Sequence, residues 1–393
     1  MIRQITPQIL YIGTDDCKTS LFENQYPIPD GMAYNSYLLK DEKTAILDTS
    51  DAATAEDWKD NLKTALKGAV PDYLVVHHLE PDHSALVAWV LEEFPGITLV
   101  ASAKAIAMLP QFFEGIDLAG RTLAVKEGDV LELGRMSLRF FGAPMVHWPE
   151  VMVSYEQGSG TLFSADAFGK FGALGKCGFN DSEDDDWACE ARRYYFNICG
   201  KYGGPVQTLL KKLSGLEIKR ICSLHGPVLE NPAEFVRLYD IWSSYGVESE
   251  GVFVAYASIH GGTAEAAGKF AEILKAKGCP KVVLTNLAEC DQAEAVEDAF
   301  RYGKLVVAAS SYDAGLFPPA FNFIHHLQDK AWQKRRVGLI ENGSWAPTAG
   351  RVMREMFSSM KEVSIAEPLV TIKSRMKSSD LPALEALADA VLA

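Results

Sequence analysis

The run His78-Leu-Glu80-Pro-Asp82-His83 follows directly on the apolar segment Tyr73-Leu-Val-Val-His77. The apolar segment predicts a buried strand, and the polar run places four candidate metal ligands where that strand ends. Any one of these side chains alone is commonly a satisfied surface or core group. Adjacent buried carboxylates repel one another, so the four together are costly unless a cation lies between them. The run therefore predicts a metal centre at a strand end.

Polar residues of the same kind close three later predicted strands. They are His147 after Met136–Phe141, Asp166 after Thr161–Ala165, and His225 after Ile218–Leu224. With the first run they supply four histidines and three carboxylates. One tetrahedral zinc uses fewer ligands, whereas two metals that share a bridging carboxylate use about this number. The pattern favours a two-metal site.

Two different patterns of predicted strands and helices along the chain indicate two domains of α/β type. Up to about residue 175, short β-runs are separated by turns and by helical stretches such as Ala85 to Glu93, which indicates a two-sheet sandwich with outer helices. The spacing is helical from Trp187 to Leu213. After about Glu248, five predicted strands alternate with five helices, as a doubly wound parallel sheet requires. We place the domains at residues 1–248 and 249–393.

The predicted elements of the second domain can be given by number. The strands are Val252–Tyr256, Lys281–Thr285, Lys304–Ala309, Arg336–Ile340 and Leu369–Ile372, and the helices lie near 264–277, 292–302, 318–330, 346–360 and 380–392.

Composition excludes several classes of protein. Hydrophobic residues make up 48% and charged residues 23%, which excludes disordered and fibrous chains. The net charge of −14 repels phosphate backbones, so we expect no nucleic-acid partner. The chain has neither a long apolar window nor the pattern of a signal peptide, which predicts a cytoplasmic protein without a membrane partner. The acidic run Asp181–Asp186 is expected to be a solvated loop.

The seven cysteines are scattered and contain no C-x-x-C pair. This spacing excludes a disulfide framework, a zinc ribbon and a rubredoxin-type iron site. We expect free thiols.

A glycine-rich loop follows the first strand of the second domain. It reads Ala257-Ser-Ile-His-Gly-Gly-Thr263 and runs into a predicted helix. Its glycines let backbone N–H groups face a phosphate, the helix N-terminus adds partial positive charge, and the hydroxyls of Ser258 and Thr263 can donate hydrogen bonds. No lysine is needed for such a site, which matters because this acidic chain has no basic cluster here.

Two further loops follow later strands of the same sheet. Ser310-Ser-Tyr-Asp-Ala-Gly315 and Asn342-Gly-Ser-Trp-Ala346 each place an aromatic ring where an isoalloxazine can lie, although Tyr312 and Trp345 also suit plain loop packing. A G-x-G-x-x-G fingerprint is absent, which argues against nicotinamide binding. The loops predict FMN, with these candidate contacts: Ser258, Ile259, His260, Gly261, Gly262, Thr263, Ser310, Ser311, Tyr312, Asp313, Gly315, Asn342, Gly343, Ser344 and Trp345.

The metal run resembles the H-x-H-x-D-H motif of the metallo-β-lactamase fold, with Glu80 at the position of the second histidine. This exchange, with the FMN-type domain that follows, resembles the flavodiiron proteins over essentially all 393 residues. The glycine-rich loop is similar to the flavodoxin pattern S-x-x-G-N-T, with Gly262 where Asn is common. The resemblance implies an αββα sandwich followed by a flavodoxin-like five-stranded sheet. A carboxylate in place of a neutral imidazole also hardens the site and favours iron over zinc.

The same resemblance implies a ligand for each of two irons. It assigns His78, Glu80 and His147 to one iron, Asp82, His83 and His225 to the other, and Asp166 to the bridge. Tyr195 matches a family tyrosine near the irons and would be the catalytic side chain, with a core aromatic as the alternative. Asp48 is a candidate acceptor for an imidazole N–H of a ligand, with a surface turn as the alternative. We expect His77, on the opposite face of its strand, to be structural.

The resemblance also implies a reaction and partners. Two ferrous ions and reduced FMN together hold the four electrons that reduce dioxygen to water, whereas two nitric oxide molecules need two electrons to form nitrous oxide. The family performs one or both reactions. A separate donor such as a rubredoxin or a flavin reductase would supply electrons, because we find no rubredoxin module in the chain. A head-to-tail homodimer or a dimer of dimers would bring the FMN of one subunit beside the irons of another.

Two other classes of function fit parts of the sequence. A zinc hydrolase, such as a thioesterase or a glyoxalase-like enzyme with a regulatory flavin domain, uses the same first fold. An electron carrier that uses its first domain only for docking is the other alternative, and it would leave the metal ligands idle.

Overall fold

The computed structural model describes residues 1–183 and 187–393. Its contacts divide the chain into two compact units, the first made of Met1–Tyr195 with Gly204–Asp240 and the second of Phe196–Gly203 with Ile241–Ala393. The domain boundary at 248/249 therefore stays a prediction. Of the acidic run predicted to be a solvated loop, residues 184–186 lie outside the described residues.

The first unit contains two large sheets. One sheet has seven strands, antiparallel on one side and parallel on the other, in the spatial order Arg3–Gln4, Ile9–Tyr11, Tyr37–Lys40, Thr44–Leu47, Tyr73–Val76, Thr98–Ser102 and Thr122–Val125. The other has five strands in the order Val130–Glu132, Ser137–Gly142, Met152–Glu156, Thr161–Phe163 and Arg220–Cys222. Two small hairpins pair Thr14–Asp16 with Met32–Tyr34 and Leu21–Phe22 with Tyr26–Pro27.

The helices up to residue 243 are mostly short. They are Ala55–Leu66, Pro81–Ser84, Val87–Glu93, Ala103–Phe112, Leu174–Cys177, Trp187–Ile198, Gly203–Leu213 and Pro232–Ser243, with 3₁₀ turns at Ala52–Thr54 and Gly200–Tyr202.

Consecutive residues of the seven-stranded sheet point into two different cores. Leu39 and Leu47 pack between the two sheets, with Phe140 and Phe163 of the five-stranded sheet. The neighbouring residues, such as Leu38 and Ile46, face the outer helices instead and pack with Trp58, Leu62, Val87 and Val90. Because a strand buried on both faces needs apolar side chains at every position, these strands read as continuous apolar runs. The predicted sandwich with outer helices is confirmed.

The second unit contains a parallel sheet covered by helices. Its strands lie in the order Val282–Asn286, Ser249–Ala257, Tyr302–Tyr312, Arg335–Asn342 and Val363–Ile365, with Val370–Ile372 also paired to Arg335–Asn342 and Gly315–Leu316 paired antiparallel to Tyr302–Tyr312. The helices are Gly262–Ala276, Gln292–Arg301, Pro318–Asp329, Ala349–Ser358 and Leu381–Leu392, with a 3₁₀ turn at Ser378–Asp380. This is the doubly wound order of a flavodoxin-like sheet, and it confirms that prediction.

Two predicted stretches are divided in the structure. The helical spacing from Trp187 to Leu213 corresponds to two helices, because glycines at 200, 203 and 204 interrupt the stretch and weaken helix propensity. The last strand is split into Val363–Ile365 and Val370–Ile372, and Pro368 between them has no N–H to donate to the sheet.

Two other expectations can be compared with the described residues. None of the seven cysteines forms a disulfide, as expected. Throughout residues 1–183 and 187–393, no helix combines the length and the apolarity that a bilayer crossing requires.

A buried arginine ties the start of the strand Arg335–Asn342 to its surroundings. Arg335 is 3% exposed. Its guanidinium donates to backbone carbonyls at 2.5–3.2 Å, those of Tyr245, Gly246, Phe300, Tyr302, Gln333 and Lys334. Burial lowers the pKa of Arg335 to about 10. Buried carbonyls without a donor are costly, so this side chain stabilises several loop ends at once.

Arg335→Met removes these donors and leaves the carbonyls unpaired. We expect it to lower the free energy of unfolding of the second unit by about 3 kcal/mol, measured by urea denaturation. Arg336→Met, on the next and half-buried position of the strand, is the matched control and should cost less than about 1 kcal/mol. Equal losses in the two variants would contradict this role for Arg335.

Candidate functional site

Strand ends of both sheets bring the candidate metal ligands together. His78 follows the strand Tyr73–Val76, and Glu80, Asp82 and His83 lie at or within the short helix Pro81–Ser84. The other three follow strands of the five-stranded sheet: His147 comes after Ser137–Gly142, Asp166 after Thr161–Phe163, and His225 after Arg220–Cys222. The seven residues predicted from the sequence therefore form one cluster, arranged as two groups around Asp166.

The first group consists of His78, Glu80 and His147. The Nε2 atoms of His78 and His147 lie 3.2 and 3.0 Å from Oε2 of Glu80. The same two nitrogens lie 3.5 and 3.2 Å from Oδ2 of Asp166. Two nitrogens and two oxygens thus face a common centre.

The second group consists of Asp82, His83 and His225. The Nε2 atoms of the two histidines are 3.1 Å apart, and each lies 3.3 Å from Oδ2 of Asp82. Oδ1 of Asp166 lies 3.2 Å from His83 Nε2 and 3.9 Å from His225 Nε2. One carboxylate oxygen of Asp166 therefore faces each group.

The chemistry of this cluster fits two cations. Neither oxygen of Asp82 or of Asp166 has a hydrogen-bond partner, although both side chains are buried. Unpaired carboxylates inside a protein are strongly unfavourable, and buried charges are normally paired or bound to metal. Cations between the groups would satisfy these oxygens and the convergent imidazole nitrogens together. Mixed nitrogen and oxygen donors that include three carboxylates suit iron.

The carboxyl groups influence one another strongly. Burial raises the pKa of Asp82 to about 7, and the nearby Glu80 and Asp166 add to this shift. Burial also opposes ionisation of Asp166, but His78, His147 and His83 outweigh it and hold the pKa of that carboxyl well below its usual range. Within one cluster, one aspartate is thus held ionised while its neighbour is driven towards neutrality. Positive charge at the centre would favour the ionised form of both.

Two of the histidines are oriented by oxygen acceptors on the side of the ring opposite the cluster. Nδ1 of His78 lies 2.8 Å from Oε1 of Glu150, and Nδ1 of His225 lies 2.8 Å from the carbonyl oxygen of Ala33. An Nδ1–H that donates to such an acceptor leaves the Nε2 lone pair for the cluster. Sequence analysis did not identify Glu150, because nothing in the spacing of Trp148-Pro-Glu150 distinguishes it from a loop residue.

The predicted role of Asp48 is to accept an imidazole N–H from a metal ligand, but in the structure its partner is His77, which is not a candidate ligand. Asp48 Oδ2 lies 2.6 Å from Nδ1 of His77, and Oδ1 accepts the His77 backbone N–H at 2.7 Å. Nε2 of His77 lies 2.8 Å from the Ser154 hydroxyl. Asp48 therefore holds the histidine beside the cluster, and His77 is structural as expected, because adjacent residues of a strand face opposite sides.

Tyr194, the residue before the predicted catalytic Tyr195, lies against the second group of candidate ligands. The ring of Tyr194 is 5.4 Å from that of His225, whereas the ring of Tyr195 contacts Tyr239 at 5.0 Å. Consecutive helical side chains are rotated by about 100°, so the two tyrosines face different directions. Phe22 and Tyr34 also contact the His225 ring, at 5.5 and 5.9 Å. The catalytic role of Tyr195 stays a prediction, and the structure offers Tyr194 as a tyrosine in contact with a candidate ligand.

The second unit contains a cavity of about 720 Å³ at the carboxyl ends of its strands. Of the predicted flavin contacts, it is lined by Ser258, Ile259, His260, Gly262, Thr263, Ser310, Ser311, Tyr312, Asp313, Asn342, Gly343, Ser344 and Trp345. Gly261 and Gly315 adjoin this lining without belonging to it. Ala314, Ala346, Thr348, Ser374 and Arg375 complete the lining and were not predicted. The cavity has the size of a small-molecule site, and its loops fit FMN.

Some of the predicted contacts also serve the protein itself. Ser311 accepts hydrogen bonds from the N–H groups of Thr348 and Ala349, at 2.8 and 3.1 Å, and so satisfies donors at the start of the helix Ala349–Ser358. The hydroxyls of Thr263 and Ser310 are 2.8 Å apart. Trp345 is 92% exposed at the mouth of the cavity, where its ring is free to meet a planar ligand.

The chain is similar in sequence to a family of beta-lactamase type and to several longer flavoproteins. Residues 32–226 match the family model described as ODP family beta lactamase. The chain is 29% identical over 380 residues to a putative diflavin flavoprotein A 1 of Nostoc sp., covering 93% of this chain and 63% of that protein. It is 27% identical to an anaerobic nitric oxide reductase flavorubredoxin of Aliivibrio fischeri, covering 88% of this chain and 70% of that protein. The chain thus spans less than two thirds of the length of the Nostoc relative.

Two solved structures share the fold. The rubredoxin oxygen:oxidoreductase of Desulfovibrio gigas superposes with a TM-score of 0.91 at 23% identity, covering 100% of this chain and 98% of that one. The flavodiiron protein of Giardia intestinalis superposes with a TM-score of 0.92 at 22% identity, covering 100% and 96%.

The fold and the two sites define a metallo-β-lactamase-like protein with a flavodoxin-like domain. In sequence over residues 32–226 and in fold over the whole chain, the protein resembles the flavodiiron proteins. That family carries FMN and a non-haem diiron centre, and the cavity and the two ligand groups fit these cofactors.

Asp166→Ala removes the carboxylate that faces both groups. We expect the purified variant to lose most of its iron and to retain its FMN, because the cavity lies in the other compact unit. Metal analysis and flavin absorbance measure both quantities. Asp60→Ala, at an exposed position of the helix Ala55–Leu66, is the control and should keep both cofactors. Full iron content in Asp166→Ala would contradict the bridging position.

Trp345→Ala removes the exposed ring at the mouth of the cavity. We expect the dissociation constant of FMN to rise about fivefold, since stacking on an aromatic ring is worth on the order of 1 kcal/mol, while iron content stays unchanged. Fluorescence titration gives the constant. Phe321→Ala, which removes a 44% exposed ring outside the lining, is the matched control. An unchanged constant in Trp345→Ala would limit this residue to loop packing.

Proposed function

We propose that this protein is a flavodiiron oxidoreductase that reduces dioxygen to water, nitric oxide to nitrous oxide, or both. One observation carries the proposal above the others. The buried Asp166 carboxylate presents one oxygen to each of two ligand groups, and neither oxygen has a hydrogen-bond partner. An arrangement of this kind suits a pair of metal ions that share a bridging carboxylate.

We assign His78, Glu80 and His147 to one iron, Asp82, His83 and His225 to the other, and Asp166 to both. Bound iron and FMN would supply the electrons for the reduction. Glu80 supports iron over zinc, because it replaces a neutral imidazole with a hard anionic ligand. The relatives named as nitric oxide reductase and the structure named as rubredoxin oxygen:oxidoreductase support this class of reaction.

The residues around the cluster would control its access to water. His78, His83, Asp166 and His225 are fully buried, whereas the Glu80 side chain is 13% exposed. A small substrate would therefore reach the metals from the side of Glu80 and His147. The rings of Phe22, Tyr34 and Tyr194 enclose His225 on the other side and exclude bulk water there.

Electrons would come from a separate donor, such as a rubredoxin or a flavin reductase. The names of the Desulfovibrio and Aliivibrio proteins include rubredoxin, which supports this class of donor. We propose that two copies of the chain associate head to tail, so that the FMN of one subunit serves the irons of the other.

The purified protein should contain about two irons and one FMN per chain and should consume dioxygen or nitric oxide when a reduced donor is present. Side-by-side measurement of both gases with one donor preparation determines the preferred substrate. Asp166→Ala supplied with the same donor is the control for non-enzymatic consumption. Two zinc ions with thioesterase activity would contradict the proposal and favour the hydrolase. FMN turnover with no consumption of either gas would favour the electron carrier.

A further inference from the structure

A basic segment that follows the last strand of the second unit reaches the flavin cavity. Lys373, Arg375 and Lys377 follow the last strand, Val370–Ile372, and both Ser374 and Arg375 line the cavity. The glycine-rich loop of residues 258–263, called the phosphate loop below, lines the same cavity with every residue except Gly261. Because the two segments are about 110 residues apart, the sequence shows no basic cluster beside the loop. The tertiary structure brings Arg375 to it.

Asn342 holds this segment in position. Its Nδ2 donates to the carbonyl oxygen of Ser374 at 2.9 Å, and its Oδ1 accepts the Ser374 N–H at 3.0 Å. The hydroxyls of Ser374 and Ser344 are 2.8 Å apart. Nζ of Lys377 donates to the carbonyl oxygens of Lys373 and Arg375, both at 3.0 Å. The backbone that carries Arg375 is therefore fixed from two sides.

The segment also lies against the phosphate loop. A Cβ atom added at Gly262 would be 2.1 Å from the carbonyl oxygen of Ser374, which is closer than real Cβ atoms come to other atoms. Only glycine fits, and this explains why Gly262 stands where flavodoxin loops commonly carry Asn. The same contact brings Arg375 to the start of the helix Gly262–Ala276.

Arg375 meets an acidic group at that helix start. Its Nη2 lies 3.3 Å from Oε2 of Glu265, which is in the first turn of the helix. A phosphate at this helix N-terminus gains from backbone N–H groups and from the helix dipole, but it is repelled by the Glu265 carboxylate. A guanidinium between the two anions removes that repulsion, and its planar set of donors matches phosphate oxygens.

We propose that Arg375 is the cation that recognises the phosphate of FMN, and that it shares or exchanges its partner Glu265 when the flavin binds. This inference rests on the proposed flavin site. It makes the site selective for the phosphorylated flavin over riboflavin, because only FMN carries the dianion that Arg375 contacts. The Arg375 side chain is 82% exposed, so replacing it leaves the fold intact.

The test compares FMN with riboflavin on the full-length chain after removal of its flavin. In Arg375→Ala we expect the dissociation constant of FMN to rise about tenfold and that of riboflavin to change by less than about twofold, measured by quenching of flavin fluorescence. Arg375→Lys retains the charge and should recover most of the affinity for FMN. Arg351→Ala is the matched control, since it removes an exposed arginine from an Arg–Glu pair in the same unit but outside the cavity.

Two further measurements isolate the charge effect. Glu265→Gln should lower the dissociation constant of FMN severalfold without affecting riboflavin, because it removes the competing anion. Raising the salt concentration from about 0.05 to about 0.5 M should weaken FMN binding more in the native chain than in Arg375→Ala.

Parallel losses of FMN and riboflavin in Arg375→Ala would overturn the inference, since they would show that the side chain only supports the loop. An unchanged FMN constant in that variant, with tight FMN binding by the native chain, would overturn the inference and leave the proposed function standing. A native chain that binds neither flavin would overturn both.

Discussion

The structure of the first unit depends on a buried concentration of negative charge. Three carboxylates and four histidines converge at strand ends where most of their atoms have no access to water. Apart from the imidazole nitrogens of the cluster itself, the oxygens of Asp82 and Asp166 have no partner among the described residues that would offset this charge. Such an arrangement is unfavourable for a protein alone and favourable for one that binds cations. The sandwich provides what this site needs, which is a rigid set of strand ends aimed at one point.

The two candidate sites offer different physical means of binding a cofactor. The candidate metal site offers charge and imidazoles whose orientation is set by Glu150 and by a backbone carbonyl. The cavity of the second unit is lined mainly by neutral residues, among them glycines, hydroxyl-bearing residues and aromatic rings. This difference suits an acidic chain, in which an anionic cofactor gains little from the overall field. Arg375 is the local exception that we propose, and its neighbour Glu265 explains why a cation is useful there.

Much of this could be predicted because its signals are local. The apolar runs before His78, Asp166 and His225 indicate both buried strands and the candidate ligands that follow them. The alternation of strands and helices after residue 248 likewise predicts the doubly wound sheet, since each parallel crossover needs its own helix. The last strand is divided at Pro368, and the helical stretch from Trp187 to Leu213 is divided at its glycines. Both divisions have a local cause, since proline has no N–H to donate to a sheet and glycine weakens helix propensity.

By itself, the sequence determined the types of the candidate ligands, their positions at strand ends and the order of the two kinds of sheet, because period and turn chemistry are properties of neighbouring residues. Only the tertiary structure decided which oxygen of Asp166 faces which histidines, that Glu150 rather than Asp48 orients a candidate ligand, and that Tyr194 contacts His225. It also decided that Arg375 joins the phosphate loop. These pairings join residues that are far apart in the chain, and they are set by how strands pair and sheets pack rather than by local spacing.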